Sequence, residues 1–366
     1  MARRIPSLDG LRAVAIGMLV LSHVRGTAGF PFKVVPFAWG TLGVTMFFVL
    51  SGFLITNLLL KEKASTGSIS LRLFYLRRAV RIFPAGYAFI LVVLLLEAIG
   101  VLELRPGDAL AASTYTMNFH AQRAWWLGHM WSLGVEEQFY LLWPAAIAFL
   151  GVAGGLRVAL AAIAAAPLLR VAVFYGWPAQ RALVDQAFPL IFDGLATGCA
   201  LAILRERLWQ AAPYRRFLES PLFAAVPVIV VVTYLYSPSV GLSLLVGQTV
   251  IHVGLAACLD WTMRFPESRV GRILNARGVV WLGSVSYSLY LWQQIFLNRN
   301  HAAWLTTFPQ NFVLAFAAAA SSYYLIEMPL NGLRARLSAK LPSVPRGAAA
   351  PPAAVGPEVA RQGLEP

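Results

Sequence analysis

Long apolar stretches separated by short polar connectors recur along the whole chain. A helix needs about 20 mostly apolar residues to cross the hydrocarbon core of a bilayer. Stretches of this kind lie at about 9–27, 38–60, 83–102, 131–150, 156–175, 187–204, 222–237, 240–260, 279–297 and 308–331. The pattern therefore predicts an all-α, polytopic integral membrane protein with about ten transmembrane helices.

The composition supports this interpretation and excludes most soluble classes. Of the 366 residues, 58% are hydrophobic and only 13% are charged, and the mean hydropathy is +0.66. These values exclude a single soluble core, a coiled coil and a disordered chain. The two cysteines, Cys199 and Cys258, lie inside apolar stretches without metal-ligand spacing, which excludes a disulfide scaffold.

The formal net charge of +14 has a topological explanation. In a soluble protein such a charge would indicate nucleic-acid binding, which we do not expect here. If the amino terminus is cytoplasmic, 23 of the 30 lysines and arginines fall on the cytoplasmic side of the ten spans and 7 on the other. The positive-inside rule thus predicts a multi-pass protein of the cytoplasmic membrane with both termini inside the cell.

Domain organisation is predicted to be simple. We find no internal repeat, and residues 1–337 are expected to form one membrane-embedded domain. Residues 338–366 hold six of the prolines together with alanine and glycine, which predicts a disordered cytoplasmic tail. The basic start and first apolar stretch also resemble a cleavable signal peptide. Asp9, Arg12 and His23 are too polar for a targeting segment, which favours a permanent first helix.

Arg12 and His23 are predicted to share one face of that first helix. Their positions are eleven steps apart in the sequence, and eleven steps of 100° end about 20° beyond three full turns. Their separation along the axis is about 16 Å. Ionisable side chains inside a bilayer are expensive and are therefore functional candidates. The alternative is that Arg12 reaches the headgroups and that His23 only makes a contact within the bundle.

Polar residues in the other stretches fall into two predicted layers. The half of the membrane that holds His23 is expected to contain Glu136, Glu137, Asp193, Gln293 and Gln294. The cytoplasmic layer is expected to contain Arg12, Arg72, Arg77, Arg78, Arg81 and Glu327. A solvated loop would also hold arginines. The spacing of Arg77, Arg78 and Arg81, however, puts two guanidinium groups on one helix face, which suits phosphate binding.

Six segments together give the chain a family resemblance. They are SLDGLRAVAIGMLVLSH at 7–23, FFVLSGFLIT at 47–56, FYLRRAVRIFP at 74–84, HMWSLGVEEQFYLLWP at 129–144, SYSLYLW at 286–292 and YLIEMP at 324–329. In this order they resemble acyltransferase family 3, the polytopic membrane acyltransferases that modify sugar hydroxyls on exported glycans and some small molecules. The resemblance runs from about residue 5 to 335.

The resemblance implies roles for particular residues. Arg12 and His23 occupy the first-helix pair associated with donor use and catalysis. The family's Ser-Gly-Phe element corresponds to Ser51 and Gly52, and its basic third element to Arg78 and Arg81. Its Trp-Ser-Leu segment corresponds to Trp131, Ser132, Glu136, Phe139 and Tyr140. Members commonly have histidine where this chain has Gln293, which hydrogen-bonds but cannot shuttle a proton. Some relatives carry a fused extracytoplasmic hydrolase-like domain, for which this chain is expected to be too short.

Combining the two layers gives a hypothesis for function. The chain is expected to be an enzyme that moves an acyl group, most simply acetyl, from cytoplasmic acyl-CoA to a hydroxyl of a saccharide or lipid-linked glycan. Arg12, Arg78 and Arg81 would bind the donor phosphates. His23 would act as general base or accept the acyl group itself, two routes that the sequence leaves open. Glu136 would orient the imidazole.

Secondary candidates and rival interpretations complete the prediction. The secondary candidates are Ser51, His129, Trp131, Asp193 and Glu327. Tryptophans such as Trp131 are equally explained as interfacial anchors, and Asp193 as a structural hydrogen-bonding group. No bound cofactor and no metal are expected, since the five histidines lack ligand spacing. The alternative functions are a transporter or flippase for a glycan-related solute and, more weakly, a structural subunit of a glycan export complex.

Overall fold

The computed structural model describes residues 6–32, 36, 39–236, 238–301 and 303–339, with side chains through residue 333. Within these ranges the secondary structure is helical and no strand occurs. The all-α prediction is confirmed for this part of the chain. The predicted tail lies almost wholly outside the described residues, and the last described helix continues to Ala339, two residues beyond the expected boundary.

The amino-terminal half contains three long helices, two short ones and one very long one. They are α1 (Pro6–Val24), α2 (Trp39–Thr66), α3 (Leu71–Ala98), α4 (Asp108–Ser113), α5 (Trp125–Gly128) and α6 (Met130–Gly176). Helix α6 is in fact two helices joined at Gly151, whose φ of 70° and ψ of 178° are not helical. Because glycine has no Cβ, it adopts this positive φ without steric cost. The two arms of α6 correspond to the predicted spans 131–150 and 156–175.

The carboxyl-terminal half consists of shorter helices, two of which are extended by π-helical turns. The helices are α7 (Phe188–Gln210), α8 (Ala212–Glu219), α9 (Ala225–Leu235), α10 (Val240–Leu242), α11 (Gln248–Arg264), α12 (Arg269–Leu274), α13 (Arg277–Phe296), α14 (Gln310–Ser322) and α15 (Met328–Ala339). The π-helical segments are Ser243–Gly247, which joins α10 to α11, and Tyr323–Glu327, which joins α14 to α15.

Several of these helices are long and apolar enough to cross a membrane. Seven such stretches occur among the described residues: Pro6–Val24, Trp39–Thr66, Leu71–Ala98, Trp125–Gly176, Pro178–Gln210, Val240–Arg264 and Gln310–Leu333. A bent pair, Ala212–Glu219 with Pro221–Leu235, makes an eighth if it forms one span. Large apolar side chains such as Phe149 and Leu325 are 80% and 77% exposed, as expected for surfaces that face lipid. The protein is polytopic, whereas the count of ten spans and the positions of the termini stay predictions.

Helix α1 lies between α2 and α13 and approaches both closely. A Cβ added at Gly43 of α2 would collide with the backbone carbonyl of Ala15, and one added at Gly283 of α13 would collide with the backbone of Asp9. Small residues at such positions let helix backbones approach within membranes. These contacts fix the position and rotation of α1, which carries both Arg12 and His23.

Candidate active site

Helix α1 is uninterrupted from Pro6 to Val24, so the three-turn spacing between Arg12 and His23 is preserved. Arg12 pairs with Asp9 one turn earlier, with 3.3 Å between Arg12 Nη1 and Asp9 Oδ1. Between Arg12 and His23, α1 contributes Ile16 and Leu19, which are 0% and 2% exposed. An apolar layer therefore separates the surroundings of the two functional candidates.

The first polar group, which we call the arginine cluster, surrounds Glu136. Its members are Arg12, Arg78, Arg81, Glu136, Ser51 and Tyr140. Ser51 Oγ donates to Glu136 Oε1 at 2.5 Å and accepts from Tyr140 Oη at 3.4 Å. The three arginines are the cationic neighbours of the Glu136 carboxylate. Helices α1, α2, α3 and α6 thus each bring a side chain to one half-buried site of mixed charge.

The arginines of α3 divide between two tasks. Arg77 is buried and pairs with Glu62 of α2, with 2.6 Å between Arg77 Nη2 and Glu62 Oε2. The other oxygen of Glu62 accepts from the backbone N–H of Ser70 at 2.8 Å. Arg78 instead stacks over the Tyr140 ring, with its Cζ 5.3 Å from the ring centroid. Arg77 therefore joins α2 to α3, and Arg78 belongs to the arginine cluster.

Glu327 lies beside the arginine cluster. It ends the π-helical segment Tyr323–Glu327 and accepts a short hydrogen bond from Ser288 Oγ of α13. Arg81 is the cationic neighbour of its carboxylate. The prediction that Glu327 lies in the same layer as Arg12 and Arg81 agrees with this arrangement.

The second polar group, which we call the imidazole cluster, consists of His23, Gln293, Gln294 and Trp125. His23 Nδ1 lies 2.7 Å from Gln293 Oε1. Gln293 Nε2 donates to Gln294 Oε1 at 3.1 Å, and Gln294 Nε2 donates to the Trp125 carbonyl at 2.6 Å. The His23 and Trp125 ring centroids are 5.4 Å apart. As predicted from the sequence, the two glutamines lie at the level of His23.

The prediction that Glu136 orients the imidazole is wrong. Gln293 occupies that place, and Glu136 bonds to Ser51 among the arginines. The physical reason is depth, because α6 begins at Met130 and Glu136 lies six residues, or about 9 Å, further along its axis. There the carboxylate has Arg12, Arg78 and Arg81 as its charged neighbours. The residue that fills the orienting position is an amide from α13.

His129 and Trp131 lie near the start of α6 and are held by aromatic contacts. The His129 ring is 5.3 Å from the ring centroids of both Phe89 and Tyr290. Neither ring nitrogen of His129 makes a hydrogen bond within the described residues. Tyr290 Oη donates instead to the His129 backbone carbonyl at 2.8 Å. Trp131 contacts Phe48 edge to face at 6.2 Å, which is a packing role.

Asp193 bonds to neither cluster, and its contacts agree with the structural hydrogen-bonding alternative considered for it. Both of its carboxylate oxygens accept from the fully buried Arg170, each at 2.9 Å. His252 Nδ1 lies 3.3 Å from the same carboxylate. A bidentate pair of this kind compensates two buried charges. The group joins α6, α7 and α11, and its role is structural.

Metal binding has no counterpart in the described part of the chain. Within it, no group of three or more histidine, cysteine, aspartate or glutamate side chains has the geometry to hold a metal ion.

The prediction missed the part of Trp125, whose backbone carbonyl anchors the two glutamines. The signal in the sequence was the pair of adjacent glutamines in an apolar helix, since buried amides need partners.

These features describe a polytopic helical membrane protein in which one helix, α1, contributes a side chain to each of two polar clusters. A family model described as an acyltransferase domain matches residues 5–327. The chain belongs to this acyltransferase family, which confirms the resemblance found in the sequence.

Curated relatives give the same assignment. The chain is 27% identical to the peptidoglycan O-acetyltransferase OatA of Listeria monocytogenes serovar 1/2a (strain EGD-e), over 89% of this chain and 56% of that protein. It is 29% identical to the putative peptidoglycan O-acetyltransferase YrhL of Bacillus subtilis strain 168, over 90% and 55%. It is 28% identical to the O-acetyltransferase OatA of Staphylococcus aureus strain NCTC 8325, over 90% of this chain and 57% of that protein. The chain thus spans about half the length of these relatives, and no solved structure matches it.

Proposed function

We propose that this protein is a membrane O-acyltransferase that moves an acetyl group from acetyl-CoA to a hydroxyl of a saccharide or lipid-linked glycan. Family membership and the names of the relatives support acyl transfer to oxygen. The observation that carries the proposal is the placement of the two clusters on one helix, about 16 Å apart along its axis. That separation is comparable to the reach of a pantetheine arm.

The arginine cluster is the proposed site for the phosphates of the donor. Guanidinium groups bind phosphate through a fixed charge and paired N–H donors. Arg12, Arg78 and Arg81 converge on one carboxylate, that of Glu136. Phosphate oxygens would replace this carboxylate as their partner when the donor binds. In the predicted topology this site faces the cytoplasm, where acyl-CoA is made, and the donor is a substrate that leaves after each cycle.

The imidazole cluster is the proposed site of acyl transfer. His23 takes the proton of the acceptor hydroxyl, and the oxygen attacks the thioester carbonyl carbon. A carbon–oxygen bond forms, the carbon–sulfur bond breaks, and the departing thiolate receives the proton from the imidazolium. In the second route the imidazole nitrogen attacks the thioester carbon first, the carbon–sulfur bond breaks and the thiolate leaves; the hydroxyl oxygen then attacks the acyl-imidazolium, the carbon–nitrogen bond breaks, and the hydroxyl proton passes to the thiolate. Both routes need the thioester to cross the apolar layer of Ile16 and Leu19, between the two clusters.

A transport function is not favoured, because the chain belongs to an acyltransferase family. One experiment separates the two functions. The purified protein in lipid nanodiscs is mixed with acetyl-CoA, with and without a muropeptide or lipid-linked disaccharide, and free thiol is measured. Enzyme activity gives thiol release that depends on the acceptor. Solute uptake into proteoliposomes without thiol release would instead support a transporter and contradict the proposal.

A further inference from the structure

The imidazole cluster ends on a backbone carbonyl, and this fixes the direction of every hydrogen bond in it. The Trp125 carbonyl can only accept, so the Gln294 atom 2.6 Å from it is the amide nitrogen. The Trp125 indole N–H in turn donates to the backbone carbonyl of Gln294 at 2.9 Å. These two bonds hold α5 against α13 and direct Gln294 Oε1 toward Gln293.

The same reasoning sets the orientation of Gln293. Gln294 Oε1 accepts, so the group 3.1 Å away is the NH₂ of Gln293. The Gln293 oxygen must then face His23, where it lies 2.7 Å from Nδ1. A flipped Gln293 amide would put two oxygens together and point its NH₂ at the imidazole. Both glutamines are buried, with exposures of 0% and 4%, so water does not satisfy such a mismatch.

We propose that Gln293 and Gln294 are positioning residues that hold the proton of neutral His23 on Nδ1 and leave Nε2 as the reacting nitrogen. An oxygen acceptor opposite Nδ1 requires a proton there, and the bond made by one ring nitrogen decides the state of the other. This inference rests on the proposed function, because it names the nitrogen that takes the proton or the acyl group. The Trp125 carbonyl is the fixed end of this series of hydrogen bonds.

The surroundings of Nε2 agree with this assignment. The hydrogen bond between the His23 ring and Gln293 is made by Nδ1, which leaves Nε2 on the opposite side of the ring from the amide. A Cβ added at Gly40 of α2 would lie 4.0 Å from it, so the absent side chain leaves room on that side of the ring. The titratable or charged neighbours of His23 are His129 and Arg299, and neither forms a hydrogen bond with the imidazole. The orientation of the ring therefore depends on the amide chain.

The test replaces each amide with methionine, which has a similar length and no hydrogen-bonding group of comparable strength. Gln293→Met should lower kcat by about 10- to 100-fold, part of the effect of a positioned general base, with little change in KM for acetyl-CoA. Gln294→Met should act in the same direction and less strongly. Gln293→His should keep the activity that Gln293→Met loses, because a neutral imidazole can accept from His23 and donate to Gln294. Gln248→Met is the matched control, since Gln248 donates to Asp185, at 3.5 Å, and neither residue belongs to either cluster.

The tautomer is read directly by ¹⁵N NMR of ring-labelled histidine in the full chain in nanodiscs, with His23→Ala identifying the resonances. The expected spectrum has a protonated Nδ1 and an unprotonated Nε2, and Gln293→Met should move the proton toward Nε2. A proton on Nε2 in the unsubstituted protein would overturn the inference, as would unchanged kcat in Gln293→Met. If the tautomer is as expected but no thiol is released with any acceptor, the proposed function fails and the assignment of the proton stands.

Discussion

The arginine cluster and the imidazole cluster lie on the same helix and are built from opposite kinds of chemistry. In the first, Arg12, Arg78 and Arg81 face the carboxylate of Glu136. In the second, His23 bonds to a neutral amide. Charged side chains therefore meet at one end of α1, whereas the histidine at the other end has an uncharged hydrogen-bonding partner.

The difference follows from what each end must do. A site for phosphates needs permanent positive charge, which carboxylates compensate while the site is empty. A base that gains and loses one proton per cycle must remain neutral at rest. A carboxylate beside His23 would favour the charged imidazolium, whereas the amide of Gln293 holds the ring without doing so. Under the proposed function, donor binding and proton transfer are separated along the axis of one helix.

The largest expected effect comes from removing the base. His23→Ala should lower acyl transfer by about 10²- to 10⁴-fold, because a positioned general base contributes that much. Binding of coenzyme A should persist, since it depends on the other end of α1. Acceptor-dependent thiol release measures the first effect, and stabilisation by coenzyme A in a thermal-shift series measures the second. His301→Ala is the control, and full activity of His23→Ala would contradict the assignment.

Breaking the structural ion pair should affect stability instead of chemistry. Asp193→Ala leaves the buried Arg170 uncompensated and should destabilise the protein by about 3–5 kcal/mol. The kcat of the protein that remains folded should be unchanged, because Asp193 touches neither cluster. Thermal unfolding in detergent and active-site-normalised kinetics check the two parts. A selective loss of kcat at unchanged stability would return Asp193 to the list of catalytic candidates.

Removing one arginine should weaken the donor site. Arg12→Ala should cost about 1.5–3 kcal/mol of binding, the range for a hydrogen bond to a charged group, and appear as a raised KM for acetyl-CoA. Protection by coenzyme A in a thermal-shift series should fall in parallel. Arg77→Ala is the contrasting variant, since Arg77 pairs with Glu62 and its loss should lower stability. Equal effects of both variants on KM would contradict the assignment of Arg12, rather than Arg77, to the donor site.

The smallest effect is expected for Glu136→Gln. The amide keeps an acceptor for Ser51 and removes a charge that competes with phosphate. KM for acetyl-CoA should therefore change only a few-fold, less than about 1 kcal/mol. The pH dependence of kcat should stay the same, because Glu136 does not touch His23. A shift of the pH–rate profile in Glu136→Gln would show that Glu136 does act on the imidazole.

Sequence reasoning succeeded where the relevant spacing lies within one helix. The relation of Arg12 to His23 follows from helical geometry, and α1 is uninterrupted between them. The family segments also indicated Arg78 and Arg81, but they did not reveal that Arg77 pairs with Glu62.

Sequence reasoning failed where a contact between side chains depends on the relative depth of two helices. Glu136 was placed beside His23 because the start of α6 is not encoded in any short motif. The partner of Asp193 was missed for a similar reason, since Arg170 lies on a separate arm of α6. A backbone carbonyl such as that of Trp125 leaves no trace in the sequence at all. Such contacts depend on tertiary packing, which local patterns do not specify.

The glycines that face α1 limit which sequence changes this acyltransferase can tolerate. Gly43 and Gly283 leave no room for even a methyl group beside Ala15 and Asp9. A one-residue slip of α1 would turn both Arg12 and His23 by about 100° and is blocked by the same contacts. New specificities should therefore arise by replacing residues around a stationary first helix, and insertions within that helix should be lethal to activity.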